Sequence, residues 1–443
     1  MNLVLAKEKM REPETGSDHN LINIGDYIVI QRQNYFKLHQ LSTTEKCDLM
    51  LGKDKVNISA INGKHFWTLF RMVPKKSGKR EYELEVCSKV ESIPEVVMKE
   101  ISSGIDNRNI SDDGRSQLLS TEDIIGLRES GLSAQNIVGK LIENSTTFKE
   151  KTEYSQEKYL KKKEKKYFEY ITVRKPTLRL IADIFYNKDP FKIMGLRYDT
   201  LAQMLSLANI QHNGTYLLYE SGTQALVGAS ILSCLSEQGS LINLSLSNQP
   251  PKHAILSMNF DMKIKKRFLN VKISDFLKTL ENGTDVIAEN QVEQKDNECC
   301  QTTEVDGMNE VLNADDSSRK RKLNEDNTQL NKKPKWAEEF ETAVSLLKDK
   351  MADGIIIASK EYPLNLLEKI MKYLKPSRQI VIYSIYREPL VDIYVEMKKR
   401  KDLVAIHITE NWLRNYQVLP ERTHPDVTMS ASGGHLLTAT KVV

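Results

Sequence analysis

Gly214-Thr215-Tyr216-Leu217-Leu218-Tyr219-Glu220-Ser221-Gly222-Thr223-Gln224-Ala225-Leu226-Val227-Gly228 has the outline of a nucleotide-binding strand, turn and helix. Tyr216 to Tyr219 are four large residues in succession, the pattern of a strand buried on both faces. Glu220 and Gly222 open a turn of the kind that lets a backbone approach a dinucleotide or the carboxylate of S-adenosylmethionine. A cofactor-binding turn then needs small residues at the next two alternate positions, because a Cβ there takes space from the ligand. This chain has Gln224 and Leu226 instead. Both side chains are expected to fill the hollow. The stretch therefore predicts a Rossmann-like methyltransferase fold with a degenerate loop (Glu220, Gly222, Gln224, Leu226) and no bound cofactor.

The surrounding chain agrees with an α/β domain running from 169 to 443. A short strand is expected at Ile171-Thr172-Val173, a helix from Asp199 to Leu207, and a second core strand at Leu241 to Leu246. A ribose-binding site needs an acid at the end of that second strand. Ser245, Ser247 and Asn248 stand there instead. Phe268 to Ile273 suits a third strand, and the alternation resumes with a helix from Trp336 to Met351, a strand at Ile355 to Ile357, a helix from Leu364 to Leu374 and a strand at Ile380 to Tyr383. The fourth strand runs into Ala358-Ser359-Lys360-Glu361-Tyr362-Pro363. Enzymes that methylate base nitrogens present an acid near such a position, but a lone carboxylate beside a lysine is read first as a surface pair.

Between those halves lies an insert, 281–335. From Glu281 to Asp316 it holds eleven acids against one lysine, a composition that predicts disorder. Arg319-Lys320-Arg321-Lys322 and Lys332-Lys333-Pro334-Lys335 follow, two basic clusters of nuclear-import type.

Residues 1–90 read as an N-terminal small β-barrel. Short β-type runs at Ile24 to Ile30 and His65 to Phe70 lead to Arg80 to Val86, where Tyr82, Leu84 and Val86 alternate with three glutamates. Phe66, Trp67 and Phe70 are read as barrel core, with base stacking as the alternative. Residues 91–168 form a polar loop and helical connector. The loop carries Asn107, Arg108, Asn109, Arg115, Ser116 and Gln117, and helix starts are expected at Ser120 with Asp123 and Ser133 with Asn136. The connector ends in Glu157 to Lys166, where Lys158, Lys161, Lys162, Lys163, Lys165 and Lys166 meet two glutamates with Tyr159 among them. Like charge at that density destabilises a helix unless a polyanion neutralises it, so phosphate contact is preferred over a merely solvated face. Two further cationic, aromatic segments are Asn187 to Lys192 and Trp412 to Pro425, the latter read as a loop able to grip RNA or a partner subunit.

The totals fit this division. The 443 residues, 40% of them apolar, suffice for two or three domains, and the net charge of +4 places any nucleic-acid attraction in local clusters. Five cysteines without metal-ligand spacing suggest reduced thiols in an intracellular protein, and membrane insertion is not expected because no apolar run approaches ~18 residues.

Four long strings carry a family resemblance: Asp106-Asn107-Arg108-Asn109 with Asp112-Asp113-Gly114, Leu141 to Phe148 (LIENSTTF), Arg197 to Met204 (RYDTLAQM), and Trp412 to Pro420 (WLRNYQVLP). In these the chain resembles the non-catalytic subunits of the eukaryotic tRNA (adenine-58-N1)-methyltransferase, over nearly its whole length. The resemblance implies a binding subunit without activity of its own, paired with a catalytic partner that holds S-adenosylmethionine, as two heterodimers in a heterotetramer acting on tRNA in the nucleus. It further implies tRNA contacts at the 107–117 loop, the 157–166 run, Asn187, Lys188, Pro190 and Lys192, Lys350, Arg378, Tyr416, Gln417, Pro420, Arg422 and His424, and His435. The alternative is an autonomous S-adenosylmethionine-dependent RNA methyltransferase with a rearranged cofactor loop.

Overall fold

The computed structural model describes residues 20–42, 47–75, 80–90, 104, 116–130, 132, 134–247, 249–282, 335–419 and 422–442. They fall into two compact units, one running to Ile184 with Ser257–Asn259, the other holding Phe185–Leu256 and Phe260–Val443. The acidic insert, both basic clusters up to residue 334, Asn248, Ser133 and the polar loop with Asn107, Arg108, Asn109 and Arg115 lie outside the described residues, as does Pro420.

The first unit is built on a seven-stranded sheet: β1 (Tyr27–Arg32), β2 (Tyr35–Gln40), β3 (Asp48–Leu51), β4 (Asp54–Asn57), β5 (Leu69–Pro74), β6 (Glu81–Cys87) and β7 (Tyr170–Arg174), in the order β2-β1-β7-β5-β6-β4-β3. The sheet curls into a nearly closed barrel. Lys37 Nζ of β2 donates to the Met50 carbonyl of β3 at 2.6 Å, linking the two edge strands. The expected barrel is thus present, with one change of boundary. The strand at 170–174 pairs antiparallel with β1 and β5 and places Ile171 and Val173 in the barrel core, instead of opening the α/β domain. Without it, β1 and β5 would present unpaired edges. Phe66 and Phe70 fill the core as expected, but Trp67 is 59% exposed. Val86 also stays outside, at 56%.

The connector holds helices α1 (Thr121–Glu129), α2 (Ala134–Glu143) and α3 (Glu153–Tyr167). Ser120 caps α1 as its spacing predicts: the Asp123 N–H donates to Ser120 Oγ at 3.1 Å and the Ser120 N–H donates back to Asp123 Oδ2 at 2.9 Å. Ile137, Leu141, Phe148, Leu160 and Tyr167 make a small core of their own.

Helix α4 (Leu178–Lys188) starts in the first unit and ends in the second, where α5 (Tyr198–Leu207) leads to β8 (Thr215–Glu220), α6 (Leu226–Cys234) and β9 (Ser240–Ser245). Short α7 (His253–Ser257) and α8 (Met262–Lys265) precede β10 (Phe268–Lys272) and α9 (Ile273–Asn282). The chain resumes with α10 (Lys335–Lys350), β11 (Ala352–Ala358), α11 (Leu364–Ile370), β12 (Leu374–Ser384), α12 (Glu388–Lys399) and β13 (Leu403–Trp412), and ends with β14 (Tyr416–Leu419), β15 (Arg422–Pro425) and β16 (Ser432–Lys441). The main sheet runs β10-β9-β8-β11-β12-β16-β13, with β8 to β12 parallel and β16 antiparallel to both neighbours. Strand order reverses at β8, between β9 and β11, and ligands of open α/β sheets bind outside the carboxyl ends of the strands at such a point. The segment from Trp412 to Pro425, expected as a loop, is instead the end of β13 followed by the β14–β15 hairpin.

Candidate functional site

At the carboxyl end of β8 the chain keeps the backbone of a glycine turn with Gly222 but with Gln224 and Ala225 at its other left-handed positions. Gly222 has φ +84°, and Gln224 and Ala225 take φ +56° and +62°, a left-handed region that L side chains enter at a cost. The Glu220 carboxylate is tucked under the turn. It accepts hydrogen bonds from the Val227 and Gly228 N–H groups at 2.9 Å each, and from the Thr223 hydroxyl. The positive end of α6 is therefore engaged by the chain's own acid. Burial pushes the Glu220 carboxyl up, while those three hydrogen bonds pull it back.

The turn opens on a cleft of about 180 Å³ lined by Gln224, Asn243, Ser245, Leu246, Pro251 and Phe268 among others. Ligand pockets for drug-sized molecules span roughly 300–1,000 Å³. Lys360, after β11, lies across Gly222: a Cβ there would come within 2.5 Å of Lys360 Cε. At the end of β9 the buried Ser245 hydroxyl bonds to the Ser247 carbonyl, and serines stand where a ribose would need a carboxylate. Gln224 lines the cleft as expected. Leu226 does not: it is wholly buried at the first position of α6, so of the two residues only Gln224 stands at the cleft, while Lys360 packs over Gly222.

Glu361 differs from its expected role as a surface pair with Lys360. Its carboxylate accepts from the Tyr219 hydroxyl at 3.1 Å and the Ser221 hydroxyl at 3.0 Å, fastening the loop after β11 to the end of β8. Burial and the adjacent Glu361 push the Tyr219 hydroxyl well above its ordinary value, so it stays a donor. Among the described residues no group of three or more His, Cys, Asp or Glu could hold a metal ion, and no helix is long and apolar enough to cross a membrane.

The RYDTLAQM string owes its character to a clamp. Arg197 is buried, pairs with Asp199 through two hydrogen bonds of 3.0 and 2.9 Å, and donates through one nitrogen to the carbonyls of Ser430, Ala431 and Ser432. Thr200 Oγ1 adds a bond to the Gly433 carbonyl at 2.9 Å. A side chain at Gly433 would collide with Thr200 and Arg197, and one at Gly434 (φ +85°) with Tyr383. Sequence reasoning missed this role; the paired glycines beside His435 were its only signal.

The clamp sets the placement of several expected tRNA contacts. His435 sits opposite Ser384 at the carboxyl end of β12, and Tyr383 one position before donates to the Met194 carbonyl at 2.8 Å. The 187–194 segment and His435 thus share the carboxyl end of the sheet, and the hairpin leaves β13 from the same end. Asn187, Lys188 and Lys192 are exposed, Lys192 lies 3.6 Å from Asp189, and Pro190 begins a 3-10 turn capped by Asp189. In the hairpin Tyr416 and Gln417 oppose Pro425 and His424, and Arg422 opens β15. Lys350 and Arg378 lie at the opposite, amino-terminal end, where Arg378 and Lys375 both pair with Asp353 at 3.2 and 2.8 Å. The expected contacts of this unit therefore divide between two ends of one sheet.

In the first unit, Ser116 and Gln117 are tied to the LIENSTTF string: the Thr146 N–H donates to the Ser116 carbonyl at 2.9 Å, and Gln117 bridges Ser145. On α3, Lys158, Lys162 and Lys166 are exposed at four-residue spacing and form one stripe, while Lys161 and Lys165 fall at other positions of the helix. Gln156, Leu160 and Tyr167 form the buried side. Lys163 is half-buried 5.1 Å from the Tyr159 ring, which Lys151 also approaches at 5.4 Å and which packs on Phe148. Burial, then Lys166, Lys162 and Lys151, lower the Lys163 ammonium from its ordinary value. Tyr159 is thus a structural partner of cations, and the exposed side chains described on α3 include the lysine stripe.

The strand order and the turn after β8 define a methyltransferase-type Rossmann domain. A crystal structure of an S-adenosylmethionine-dependent O-methyltransferase from Thermotoga maritima shares the fold, with a TM-score of 0.50, 10% identity and coverage of 98% of each chain. Residues 21–304 match the Gcd10p family. The tRNA (adenine(58)-N(1))-methyltransferase non-catalytic subunit TRM6 of Mus musculus is 32% identical over 474 residues, covering 100% of this chain and 93% of its own length. The corresponding subunit of Dictyostelium discoideum is 30% identical, covering 96% and 80%. The chain belongs to the Gcd10p family of non-catalytic tRNA (adenine-58-N1)-methyltransferase subunits.

Proposed function

We propose that this protein is the tRNA-binding, non-catalytic subunit of a nuclear tRNA (adenine-58-N1)-methyltransferase, a heterotetramer of two heterodimers. The exposed lysine stripe of α3 carries the reading: three cations one turn apart, with a fourth held among lysines, suit phosphates along an RNA backbone. The resemblance adds tRNA contacts at the 107–117 loop and, at the carboxyl end of the second unit's sheet, at the 187–194 segment, the 416–424 hairpin and His435. Lys350 contributes from the other end of the sheet, and Arg378 does so less because Asp353 already neutralises it.

S-adenosylmethionine fits the residues of this chain poorly. Gln224 lines the cleft, the Lys360 stem lies against Gly222 of the turn, and serines replace the ribose acid. The methyl donor and the group that takes the adenine proton therefore belong to the catalytic partner, and this chain holds and orients tRNA. Calorimetric titration of the isolated chain with S-adenosylmethionine should give no heat of binding. Methyl transfer to tRNA should need both subunits. Micromolar binding with turnover by this chain alone would establish the rival reading, an autonomous methyltransferase.

A further inference from the structure

Trp67 breaks two rules at once. It stands at φ +73°, a region where a bulky residue is an outlier, in the turn closed by the Thr68 N–H and hydroxyl on the His65 carbonyl. Glycine or asparagine is the ordinary occupant of such a position. Yet the indole is 59% exposed, so burial returns little for the strain. Its visible partner is Arg174 of β7, whose guanidinium stacks 4.6 Å from the indole ring and 5.9 Å from the Phe36 ring of β2. Gln31 of β1 holds that guanidinium in place by accepting from its Nη1 at 3.2 Å. The row Trp67, Arg174, Gln31 and Phe36 thus crosses the outer barrel surface over three neighbouring strands and the turn before β5.

The charge around it is one-sided. The three segments that build the row, 31–37, 62–68 and 172–177, contain no Asp or Glu, and exposed Lys64 and Lys175 lie, respectively, within three residues of Trp67 and next to Arg174 along the chain. A flat aromatic and a flat cation held side by side present a stacking face to a nucleobase and charge to its phosphates.

We propose that Trp67 and Arg174 form a stacking platform for an unpaired nucleotide of RNA, on the barrel and separate from the α3 lysines. The inference rests on the tRNA-binding reading and adds to it a sequence-tolerant contact with a single-stranded segment.

The test uses the full chain with a tRNA transcript, a short single-stranded oligoribonucleotide, and the same oligoribonucleotide annealed into a duplex. Trp67→Gly removes the ring and relieves the backbone, so its melting temperature should hold or rise while affinity for the single strand falls about 5- to 100-fold. Duplex affinity and the slope of affinity against salt should stay as they were, since stacking releases no counterions. Trp67→Phe should recover most of the binding. Single-strand affinity within twofold of the parent, or a lowered melting temperature for Trp67→Gly, overturns the platform. If replacing Lys158, Lys162 and Lys166 by Ala abolishes tRNA binding and Trp67→Gly leaves it intact, only this inference fails; if the parent chain binds no RNA, the proposed function fails with it.

Discussion

The Glu220 carboxylate accepts a hydrogen bond from the Gly228 N–H at 2.9 Å, joining the last residue of β8 to the first turn of α6. A Cβ on Gly228 would stand 3.1 Å from that carboxylate oxygen, so the glycine is what lets strand and helix approach. Glu220→Ala leaves the Val227 and Gly228 N–H groups without their acceptor and should destabilise the second unit by about 1–3 kcal/mol. Glu220→Gln keeps an acceptor oxygen and should be milder. The pH dependence has a definite sign. The unfolded chain gives up this proton near pH ~4.3 and the folded chain only at a higher value, so stability falls as pH rises between the two. Urea unfolding from pH 4 to 8 should show that fall in the parent protein and its loss in Glu220→Gln. An identical slope in both would remove Glu220 as its source.

Gly222 and Lys360 compete for one volume. Gly222→Ala meets both the φ of +84° and the Lys360 stem, and should destabilise by about 1–3 kcal/mol. Adding Lys360→Ala should return the steric share and leave the backbone share. Gln224→Gly, at φ +56°, should instead stabilise by roughly 0.5–1 kcal/mol. A double-mutant cycle on thermal unfolding measures the coupling, and strict additivity would show that Lys360 does not lie over the turn.

Arg197 is only 6% exposed at its side chain and serves Asp199 and three carbonyls together. Arg197→Met strands Asp199 and the 430–432 carbonyls and should destabilise by about 3–5 kcal/mol. Arg197→Lys should also fail, since one ammonium cannot replace a planar fork. Hydrogen exchange should rise first at residues 430–436 and leave β8 protected. Uniform loss of protection would assign Arg197 to the general core.

Changing Lys158, Lys162 and Lys166 together to Ala should weaken tRNA binding at all sequences alike. The slope of log affinity against log salt should fall by about 2–3, close to one for each phosphate no longer neutralised. Stability should not decline, because the stripe repels itself. Filter binding across a salt series reads the slope, and an unchanged value would show that the stripe faces only solvent.

Much of this was legible in the residues. Tyr216 to Tyr219 and Ile355 to Ile357 are continuous apolar runs bounded by turns, so buried parallel strands followed from composition and period alone. The Ser120–Asp123 spacing fixed a helix start, because a capping box involves only neighbours along the chain. The lysine density of α3 placed a run of cations on one helix for the same local reason, and Lys158, Lys162 and Lys166 are exposed there.

What failed had its cause far along the chain. Ile171 to Val173 looks like any short strand; only the barrel edges between β1 and β5 decided which sheet it joined. The 416–425 hairpin carries no Asn-Gly or Asp-Gly signal to announce itself. Trp67 sat in an aromatic run that composition assigns to a core, and its turn put it outside. The sequence by itself determined the strand order's raw material, the altered cofactor turn and the placement of charge, since each is written in contiguous residues. Tertiary structure decided that Lys360 covers Gly222, that Arg197 holds Ser430 to Ser432, and that Trp67 meets Arg174, because hydrogen bonds and steric contacts between distant segments exist only once the chain has brought them within a few ångströms.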